Sequence, residues 1–336
     1  MNARQIPAEP REFALLNDYQ QRFPLCPAPF AAIGETHGLD TEAVIARYRR
    51  WLQGGVVSRI GPVFAPKRVG ASTLAAMAVP EERLEAVARQ ISAYPAVNHN
   101  YEREHAWNLW FVVTSPDAAA LEATLAQMRE ETGCPLIALP LETPYHIDLG
   151  FDLAGGEKAS QTARAPDATA AIPPPDTASL QALQGGLPLV SRPYAALGEQ
   201  LGIDEASMIQ RIENWLDAGY IKRFGVVVRH HELGYQANAM CVWAVPPGEI
   251  DRLGEALARE AGVTLCYRRR PDAEHWPYNL YCMIHGQDHA PVIARRQEIA
   301  GHLGLDQYPH AMLFSRRRFK QCGAQYGATA PEAVLG

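Results

Sequence analysis

The stretch FPLCPAPFAAIGETHGLDTEAVIARYRRWLQGGVVSRIG, from Phe23 to Gly61, occurs a second time along the chain. The later copy, LPLVSRPYAALGEQLGIDEASMIQRIENWLDAGYIKRFG, runs from Leu187 to Gly225, and 16 of the 39 aligned positions are identical without a gap. A long internal repeat of this kind indicates that each copy is a structural unit of its own. We therefore interpret the chain as a tandem duplication.

Each copy opens with the pattern of two short helices. In the first copy Asp40 is a suitable N-cap, apolar residues follow at helical spacing from Val44 to Trp51, and Gly54 is placed to end the helix. The second copy repeats this series with Asp204, Met208, Ile212, Trp215 and Gly219. Because a shorter apolar segment precedes each of these helices, the pattern predicts a helix-turn-helix at the start of both copies.

The remainder of the first copy alternates between strand and helix patterns. After a strand at VVSRIGPVFA, the next segments read in order as strand, helix, strand, strand, helix and strand: ASTLAAMAV, EERLEAVARQISA, AVNHNY, WNLWFVVT, DAAALEATLAQMREE and CPLIALPL. This is the βαββαβ order of a ferredoxin-like domain. The predicted fold class is α+β, a tandem duplication in which each half is a helix-turn-helix domain followed by a ferredoxin-like domain.

A segment rich in Ala, Pro and Gly separates the two copies and has little to bury, so it is interpreted as a linker. The predicted domains are a helix-turn-helix at 12–66, a ferredoxin-like domain at 67–151, the linker at 152–179, a second helix-turn-helix at 180–232 and a second ferredoxin-like domain at 233–327. We expect the two halves to pair as a pseudo-dimer. Whether two copies of the whole fused chain form a homodimer is left open.

Length, composition and charge indicate a globular protein. The 336 residues are 47% hydrophobic, which is sufficient for the cores of more than one domain. With 31 basic against 37 acidic residues the net charge is -6, so a general affinity for nucleic acid is not expected. No signal peptide and no bilayer-spanning apolar run is recognisable, and the six cysteines are scattered. We expect a cytoplasmic protein with reduced thiols and no membrane association.

Distinctive motifs follow in both copies. The first copy carries VNHNYEREHAWNLWFVV and YHIDLGF, and the second carries CYRRRPDAEHWPYNLYCMIHG and SRRRFKQCGAQY. With the helix-turn-helix and ferredoxin-like pattern, these motifs resemble the sirohaem decarboxylases, whose subunits are similar to the Lrp/AsnC regulators. The resemblance extends from about Phe23 to Tyr326, so the two copies look like two fused subunits. It implies removal of two acetate carboxyl groups from sirohaem, giving didecarboxysirohaem, on the way to haem d1 or to haem by an alternative route.

One position distinguishes the two copies. The second-copy motif of the resembled family usually reads HCY, whereas this chain reads LCY, with Leu265 at the position that aligns with His99. Only the first copy keeps the imidazole, while the second copy has three consecutive arginines from Arg268 to Arg270. We therefore expect one competent pocket per chain, centred on His99 and completed by arginines of the second copy.

The expected chemistry requires a proton donor. Loss of carbon dioxide from an acetate leaves electrons on the methylene carbon, which the macrocycle delocalises and which must then be protonated. Histidine suits this role because its ordinary pKa of about 6.5 lies near working pH. Alternate residues of a strand share a face, so Val97, His99 and Tyr101 are predicted to point the same way. His99 is the first catalytic candidate, and His146, just beyond the last predicted strand of the first copy, is the second.

The expected substrate is a flat apolar macrocycle with a fringe of carboxylates, so its site needs apolar walls and a cationic rim. Arginine suits the rim because it can grip a carboxylate through two parallel hydrogen bonds. The predicted substrate-binding residues are Arg59, Tyr101, Arg103, Arg223, Tyr267, Arg268, Arg269, His285 and Lys320, in a wider basic set that includes the run Arg316–Lys320. Four aromatic residues are better explained as core than as walls of the pocket, namely Trp107, Trp110, Trp276 and Tyr278.

The resemblance implies no added cofactor and no resident metal, because the iron arrives as part of the tetrapyrrole substrate. An axial contact from His99 or His146 to that iron is compatible with the resemblance.

Two alternative functions stay open. A transcriptional regulator of Lrp/AsnC type would place the second helix of each helix-turn-helix in the major groove, but Asp204–Asp217 carries one arginine against four acids. We therefore expect no DNA binding. A haem chaperone would keep the pocket and need no proton donor.

Overall fold

The computed structural model describes residues 9–147, 172–228, 237–286 and 288–323. The chain divides into two compact units, one formed by Met1–Val69 with Leu149–Gly234 and the other by Gly70–Asp148 with Tyr235–Gly336. Each unit therefore combines the equivalent parts of both copies. The predicted linker lies outside the described residues as far as position 171, and a helix begins inside its last part, at Thr177.

Both copies contain the predicted series of elements. The first copy contains α1 (Pro10–Asn17), α2 (Pro29–His37), α3 (Thr41–Gln53), β1 (Val57–Phe64), α4 (Pro66–Val69), β2 (Ala71–Met77), α5 (Leu84–Ala93), β3 (Val97–Arg103), β4 (Leu109–Ser115), α6 (Ala118–Thr132) and β5 (Leu136–Ile147). The second copy contains α7 (Thr177–Gln184), α8 (Pro193–Gln200), α9 (Glu205–Asp217), β6 (Ile221–Val228), β7 (Ala237–Trp243), α10 (Ile250–Leu257), β8 (Val263–Arg269), β9 (Leu280–Gly286), α11 (His289–Leu303) and β10 (His310–Gln321). None of the helices in the described ranges combines the length and the apolar content needed to cross a bilayer.

The first unit contains both helix-turn-helix segments. The predicted N-caps are confirmed, since Asp40 accepts a hydrogen bond from the backbone N–H of Ala43 at 2.6 Å and Asp204 accepts one from Ser207 at 2.7 Å. Strands β1 and β6 pair in an antiparallel ribbon. Gly225 lies in this ribbon. A Cβ atom at this position would clash with the backbone carbonyls of Tyr19 and Gln20, so only glycine fits.

The second unit is an eight-stranded closed barrel in which every neighbouring pair is antiparallel. Each copy supplies a four-stranded ferredoxin-like sheet, with strand order β3-β4-β2-β5 in the first copy and β8-β9-β7-β10 in the second. The two sheets join edge to edge, because β3 pairs with β10 and β5 pairs with β8. Closure leaves no unpaired edge among the eight described strands of the barrel, and it confirms the prediction that the two halves pair with each other.

Helices cover the outside of the barrel, where each copy has its own core. The first-copy core includes Val87 and Ile91 of α5 and Phe111 of β4, and the second-copy core includes Leu253 of α10 and Ile299 of α11. Apolar side chains at helical spacing thus pack against alternate positions of the strands. The opposite face of every strand is directed to the inside of the barrel.

A third core lies inside the barrel and draws on both copies. It includes Trp110 and Leu139 from the first copy and Tyr281 and Leu313 from the second. Trp276 reaches this core from the loop between β8 and β9, with its ring centroid 5.0 Å from that of Trp110 and its Nε1 donating to the Tyr281 hydroxyl at 2.7 Å. Both tryptophans are 1% exposed, so their interpretation as core residues is confirmed.

Candidate functional site

The inner face of the barrel carries polar side chains where the two copies join. We call the pairing of β3 with β10 the first junction and the pairing of β5 with β8 the second junction. At the first junction Tyr101 lies opposite Trp110 of β4, which belongs to the inner core, and opposite Arg318 of β10. His99 lies opposite Gln321. Because directly opposite residues in antiparallel strands share a face, these side chains line the inside of the barrel together.

His99 and Tyr101 form a close pair at the first junction. Nδ1 of His99 lies 3.4 Å from the Tyr101 hydroxyl, and the ring centroids are 6.1 Å apart at an interplanar angle of 27°. Burial raises the pKa of the Tyr101 phenol above its ordinary value of 10, against the lowering influence of the nearby Arg103 and Arg318 charges. The phenol is therefore a neutral hydroxyl at neutral pH, able to donate to or accept from the imidazole.

The prediction that Val97 shares the face of His99 and Tyr101 is wrong. The register of β3 shifts between Val97 and His99, so Val97 belongs to the outer core. Asn100 also faces outward, where its amide donates to the Ala88 carbonyl at 3.0 Å. A bulge of this kind interrupts strict alternation and changes the face of every residue on one side of it.

Arg103 is the third member of the predicted first-copy set, and it is buried. Its Nη1 donates to the carbonyl of Leu313 at 3.0 Å, and its guanidinium carbon lies 5.9 Å from the centroid of the Tyr101 ring. Burial lowers the pKa of Arg103 to about 10, so it remains a cation at neutral pH. The structure thus places Arg103 on the same strand as His99 and Tyr101, because β3 extends two residues beyond the predicted strand.

Two residues of the second copy complete this cluster and were not singled out from the sequence. Arg318 and Gln321 lie opposite Tyr101 and His99, and Nη1 of Arg318 donates to Oε1 of Gln321 at 2.9 Å. The basic run Arg316–Lys320 was visible in the sequence. Which of its members points inward depends on two register shifts in β10 that local alternation does not reveal.

The second junction repeats part of this arrangement with fewer polar residues. Tyr267 and Arg269 are equivalent to Tyr101 and Arg103. Nη1 of Arg269 donates to the Leu139 carbonyl at 3.0 Å, its guanidinium carbon lies 5.2 Å from the Tyr267 ring centroid, and burial lowers its pKa. At the remaining positions the residues differ, because Leu265 replaces His99, Pro144 replaces Arg318 and Ile147 replaces Gln321.

His285 lies on β9, the strand that pairs with β8 next to the second junction. It lies near the end of β9, as predicted, and its Nδ1 is 2.8 Å from the hydroxyl of Thr264. Thr264 is the chain neighbour of Leu265, so this contact is made within the second copy. His285 therefore supplies an imidazole near the junction that lacks the equivalent of His99.

His146 is placed differently from the prediction. It does not follow the last strand of the first copy but lies inside β5, opposite Cys266 of β8. Cys266 faces the outer core, where its thiol donates to the Gly254 carbonyl at 3.4 Å. His146 consequently lies on the outer side of the second junction, because β5 continues beyond β2 and pairs with β8. The structure does not bring His146 into the His99 cluster.

Lys320 and Arg268 also face outward, where groups of the protein engage them. Nζ of Lys320 donates to the carbonyls of Ser92 and Tyr94 at 2.8 and 2.9 Å, at the C-terminal end of α5. The last carbonyls of a helix have no partner inside the helix, and the half-buried ammonium group of Lys320 satisfies two of them. Nε of Arg268 donates to Glu142 at 2.8 Å. The structure therefore does not place these two predicted substrate-binding cations inside the barrel.

Arg59 and Arg223 lie in the helix-turn-helix unit. Nη2 of Arg59 donates to the Pro62 carbonyl at 2.9 Å, whereas Arg223 is 8% exposed and its Nη1 donates to the carbonyls of Gln20 and Val226. Both guanidinium groups are thus used by backbone carbonyls of the ribbon and its surroundings. Their predicted role toward a substrate stays a prediction.

The chain matches two protein-family models, each in both copies. The AsnC-like ligand binding domain matches residues 68–145 and 232–320, and the siroheme decarboxylase NirDL-like HTH domain matches residues 12–57 and 176–222. These matches confirm the predicted fold class, with a helix-turn-helix followed by a ligand-binding domain in each half.

Relatives match the chain over most of its length. It is 44% identical to the siroheme decarboxylase NirDL subunit of Paracoccus denitrificans (strain Pd 1222), over 95% of this chain and 98% of that protein. A crystal structure of the siroheme decarboxylase NirDL superimposes with a TM-score of 0.69 at 26% identity, covering 95% of this chain and 94% of that chain. A second crystal structure, of NirDL in co-complex with an iron-uroporphyrin III analogue, gives a TM-score of 0.68 at 25% identity with the same coverage.

Proposed function

Because the chain belongs to the sirohaem decarboxylase family, as a fused member of the NirDL type, we propose that it removes two acetate carboxyl groups from sirohaem to give didecarboxysirohaem. The observation that carries this proposal is the cluster at the first junction. There an imidazole, a phenol and guanidinium groups lie inside a barrel whose inner core is aromatic and aliphatic. A flat macrocycle with a carboxylate fringe requires such a surface. The product would serve haem d1 formation or an alternative route to haem.

In the proposed reaction the bond between the carboxylate carbon and the methylene carbon breaks, and carbon dioxide leaves. The electron pair stays on the methylene carbon, where the macrocycle delocalises it, and a proton then converts the methylene into a methyl group. His99 is the proposed proton donor, since it is half-buried on the inner face with the Tyr101 hydroxyl beside its Nδ1. Exclusion of water from this face favours neutral carbon dioxide over the charged carboxylate.

Two buried cations favour the binding of an anionic substrate. Neither Arg103 nor Arg269 is ion-paired with a carboxylate in the described part of the chain; each is held by a backbone carbonyl and a tyrosine ring. Burial of a cation is unfavourable unless an opposite charge offsets the lost hydration. We propose that substrate carboxylates supply that charge, with Arg103 at the first junction and Arg269 at the second.

The proposed reaction uses no added cofactor. Its electron sink is the macrocycle, and its iron is part of the substrate. An axial contact of that iron with His99 would occupy Nε2, the nitrogen that would donate the proton, so we propose His99 as the proton donor and assign it no axial contact. His146, the other candidate for this contact, lies on the outer side of the second junction.

Anaerobic incubation with sirohaem tests the proposal. The expected product is lighter than sirohaem by two carbon dioxide units, measured by mass analysis of the extracted pigment, without added nucleotide, flavin or metal. Heat-denatured protein serves as the control for spontaneous decarboxylation. An unchanged pigment mass after prolonged incubation with folded protein would contradict the proposed function.

A further inference from the structure

We propose that charged side chains on the outside of the two junctions determine which sheets can pair, because they are acidic on the first copy and basic on the second. They favour pairing of a first-copy sheet with a second-copy sheet. They oppose homotypic pairing, by which we mean pairing of two first-copy sheets or of two second-copy sheets. The partner that fits each sheet edge is therefore an edge of opposite charge. This specificity is independent of the reaction that the barrel carries out.

Ion pairs cross the first junction on the outside of the barrel. Nε of Arg317 on β10 lies 3.0 Å from a carboxylate oxygen of Glu102 on β3, and its Nη1 lies 2.7 Å from Glu85 of α5. Nε of Arg316 lies 3.2 Å from Glu104, which directly follows β3. The Glu102 side chain is only 13% exposed, so water screens its pair with Arg317 less than it screens an ordinary surface pair. At this junction the first copy supplies the acids and the second copy supplies the bases.

Ion pairs also cross the second junction, with the same division between the copies. Nε of Arg268 on β8 lies 2.8 Å from Glu142 on β5, and Nε of Arg270 lies 3.8 Å from the same carboxylate. Asp251 of α10, 3.4 Å from Nη1 of Arg268, is the one second-copy carboxylate in these contacts among the described residues. Both junction edges of the first-copy sheet are thus acidic, and both junction edges of the second-copy sheet are basic.

Homotypic pairing would bring like charges together. Strands β3 and β8 hold equivalent positions in the two copies, as do β5 and β10. Two first-copy sheets would therefore pair β3 with β5 and place Glu102 and Glu104 beside Glu142. Two second-copy sheets would pair β8 with β10 and place Arg268 beside Arg317. Like charges at such short distances oppose association, so both homotypic pairings are disfavoured while the observed pairing is favoured.

Exchange of charges at a single junction tests this specificity in the full chain. In the first-junction swap, acids of the first copy become arginines and arginines of the second copy become glutamates: Glu85→Arg, Glu102→Arg, Glu104→Arg, Arg316→Glu and Arg317→Glu. The ion pairs across the junction persist with reversed polarity, but each sheet now has one acidic edge and one basic edge. Homotypic pairing between two chains is then no longer opposed.

The two-junction swap is the matched control. It adds the corresponding exchange at the second junction, Glu142→Arg, Arg268→Glu and Arg270→Glu, with Asp251→Asn to remove the remaining second-copy charge. The first-copy edges are then both basic and the second-copy edges both acidic, so homotypic pairing is opposed again. Any adhesive surface created by the first-junction substitutions is present in this control as well.

Light scattering and native mass spectrometry, after refolding from denaturant at low ionic strength, measure the assemblies that each variant forms. Relative to the parent, we expect the first-junction swap to form at least about tenfold more chain dimers and larger assemblies. Its Tm should lie within about 5 °C of the parent, because the ion pairs inside each chain are kept. The two-junction swap should return to the parental distribution of assemblies.

If the first-junction swap does not fold, the reciprocal variant decides the outcome. In that variant only the second junction is exchanged, and the same increase in assemblies is expected. A folded single-junction swap with the parental distribution would overturn the inference. Equal assembly by the single-junction and two-junction swaps would also overturn it, because the added association would then come from the new surface and not from sheet pairing.

Discussion

The hydroxyl oxygen of Tyr101 lies 3.4 Å from Nδ1 of His99, with the two rings 27° from parallel. The phenol donates to Nδ1 when the imidazole is neutral and accepts from it when the imidazole is protonated. The pair is thus arranged so that the phenol contacts Nδ1 of His99 in both protonation states.

His99→Ala should abolish measurable turnover while retaining part of the pigment binding. General acid catalysis typically contributes about 100- to 10,000-fold to rate, and the arginines of the junction remain to hold carboxylates. Single-turnover rates with sirohaem and an optical titration with an iron tetrapyrrole measure the two effects. Nearly parental turnover by His99→Ala would show that His99 is not the proton donor.

His146→Ala provides the matched control for this prediction. Because His146 lies on the outer side of the second junction, we expect turnover within a few-fold of the parent. A loss as large as that of His99→Ala would show that His146 is needed for catalysis despite its position.

Tyr101→Phe should lower kcat about 5- to 10-fold and leave KM nearly unchanged. The substitution removes one hydrogen bond, whose net value is about 1 kcal/mol, and keeps the aromatic ring. Since burial raises the pKa of Tyr101 above 10, the phenol keeps its proton through the neutral range. The pH–rate profile in this range should therefore have the same shape in Tyr101→Phe and in the parent. A difference in shape between the two profiles would indicate that the phenol titrates there.

An iron tetrapyrrole should saturate near one equivalent per chain. The second junction has Leu265, Pro144 and Ile147 where the first has His99, Arg318 and Gln321. Leu265→His restores only one of these three residues, so it should not double the rate of decarboxylation. Two equivalents bound with equal affinity, in an optical titration of the parent, would show that both junctions are competent.

Two of the six cysteines should react with Ellman's reagent in the folded protein. Cys26 and Cys322 are partly exposed, whereas Cys134, Cys241, Cys266 and Cys282 are buried. Burial raises the pKa of Cys266 to about 12, which keeps the thiol protonated and unreactive. In denaturant the other four cysteines should react as well. Rapid reaction of more than two thiols without denaturant would mean that an outer core of the barrel opens readily.

Sequence-specific DNA binding is not expected. Helix α9 has a single arginine, and Nη1 of Arg211 lies 3.4 Å from the Ser179 hydroxyl within the same unit. The acidic residues of α9 and its cap would repel phosphates. A gel-shift assay with promoter DNA of tetrapyrrole genes at physiological salt should give no nanomolar complex, and such a complex would favour the regulator instead.

The sequence alone determined the elements and their order. Duplication, the N-caps at Asp40 and Asp204, and the βαββαβ series follow from spacing and capping within short segments, and the structure confirms them. Trp110 and Trp276 were also expected to belong to a core, and both are buried. These properties are local, because caps and helical or strand spacing depend on residues a few positions apart.

Only the tertiary structure decided which side chains meet at the junctions. Pairing of β10 with β3 brings Arg318 and Gln321 to Tyr101 and His99, while continuation of β5 onto β8 places His146 on the outer side. Local periodicity does not specify these pairings, since they join strands from opposite halves of the chain and depend on closure of the whole barrel. A register shift of one residue moves a side chain from the outer face to the inner face. The sequence therefore identified His99 and Tyr101, but the partners supplied by the second copy became identifiable only when the strands were paired.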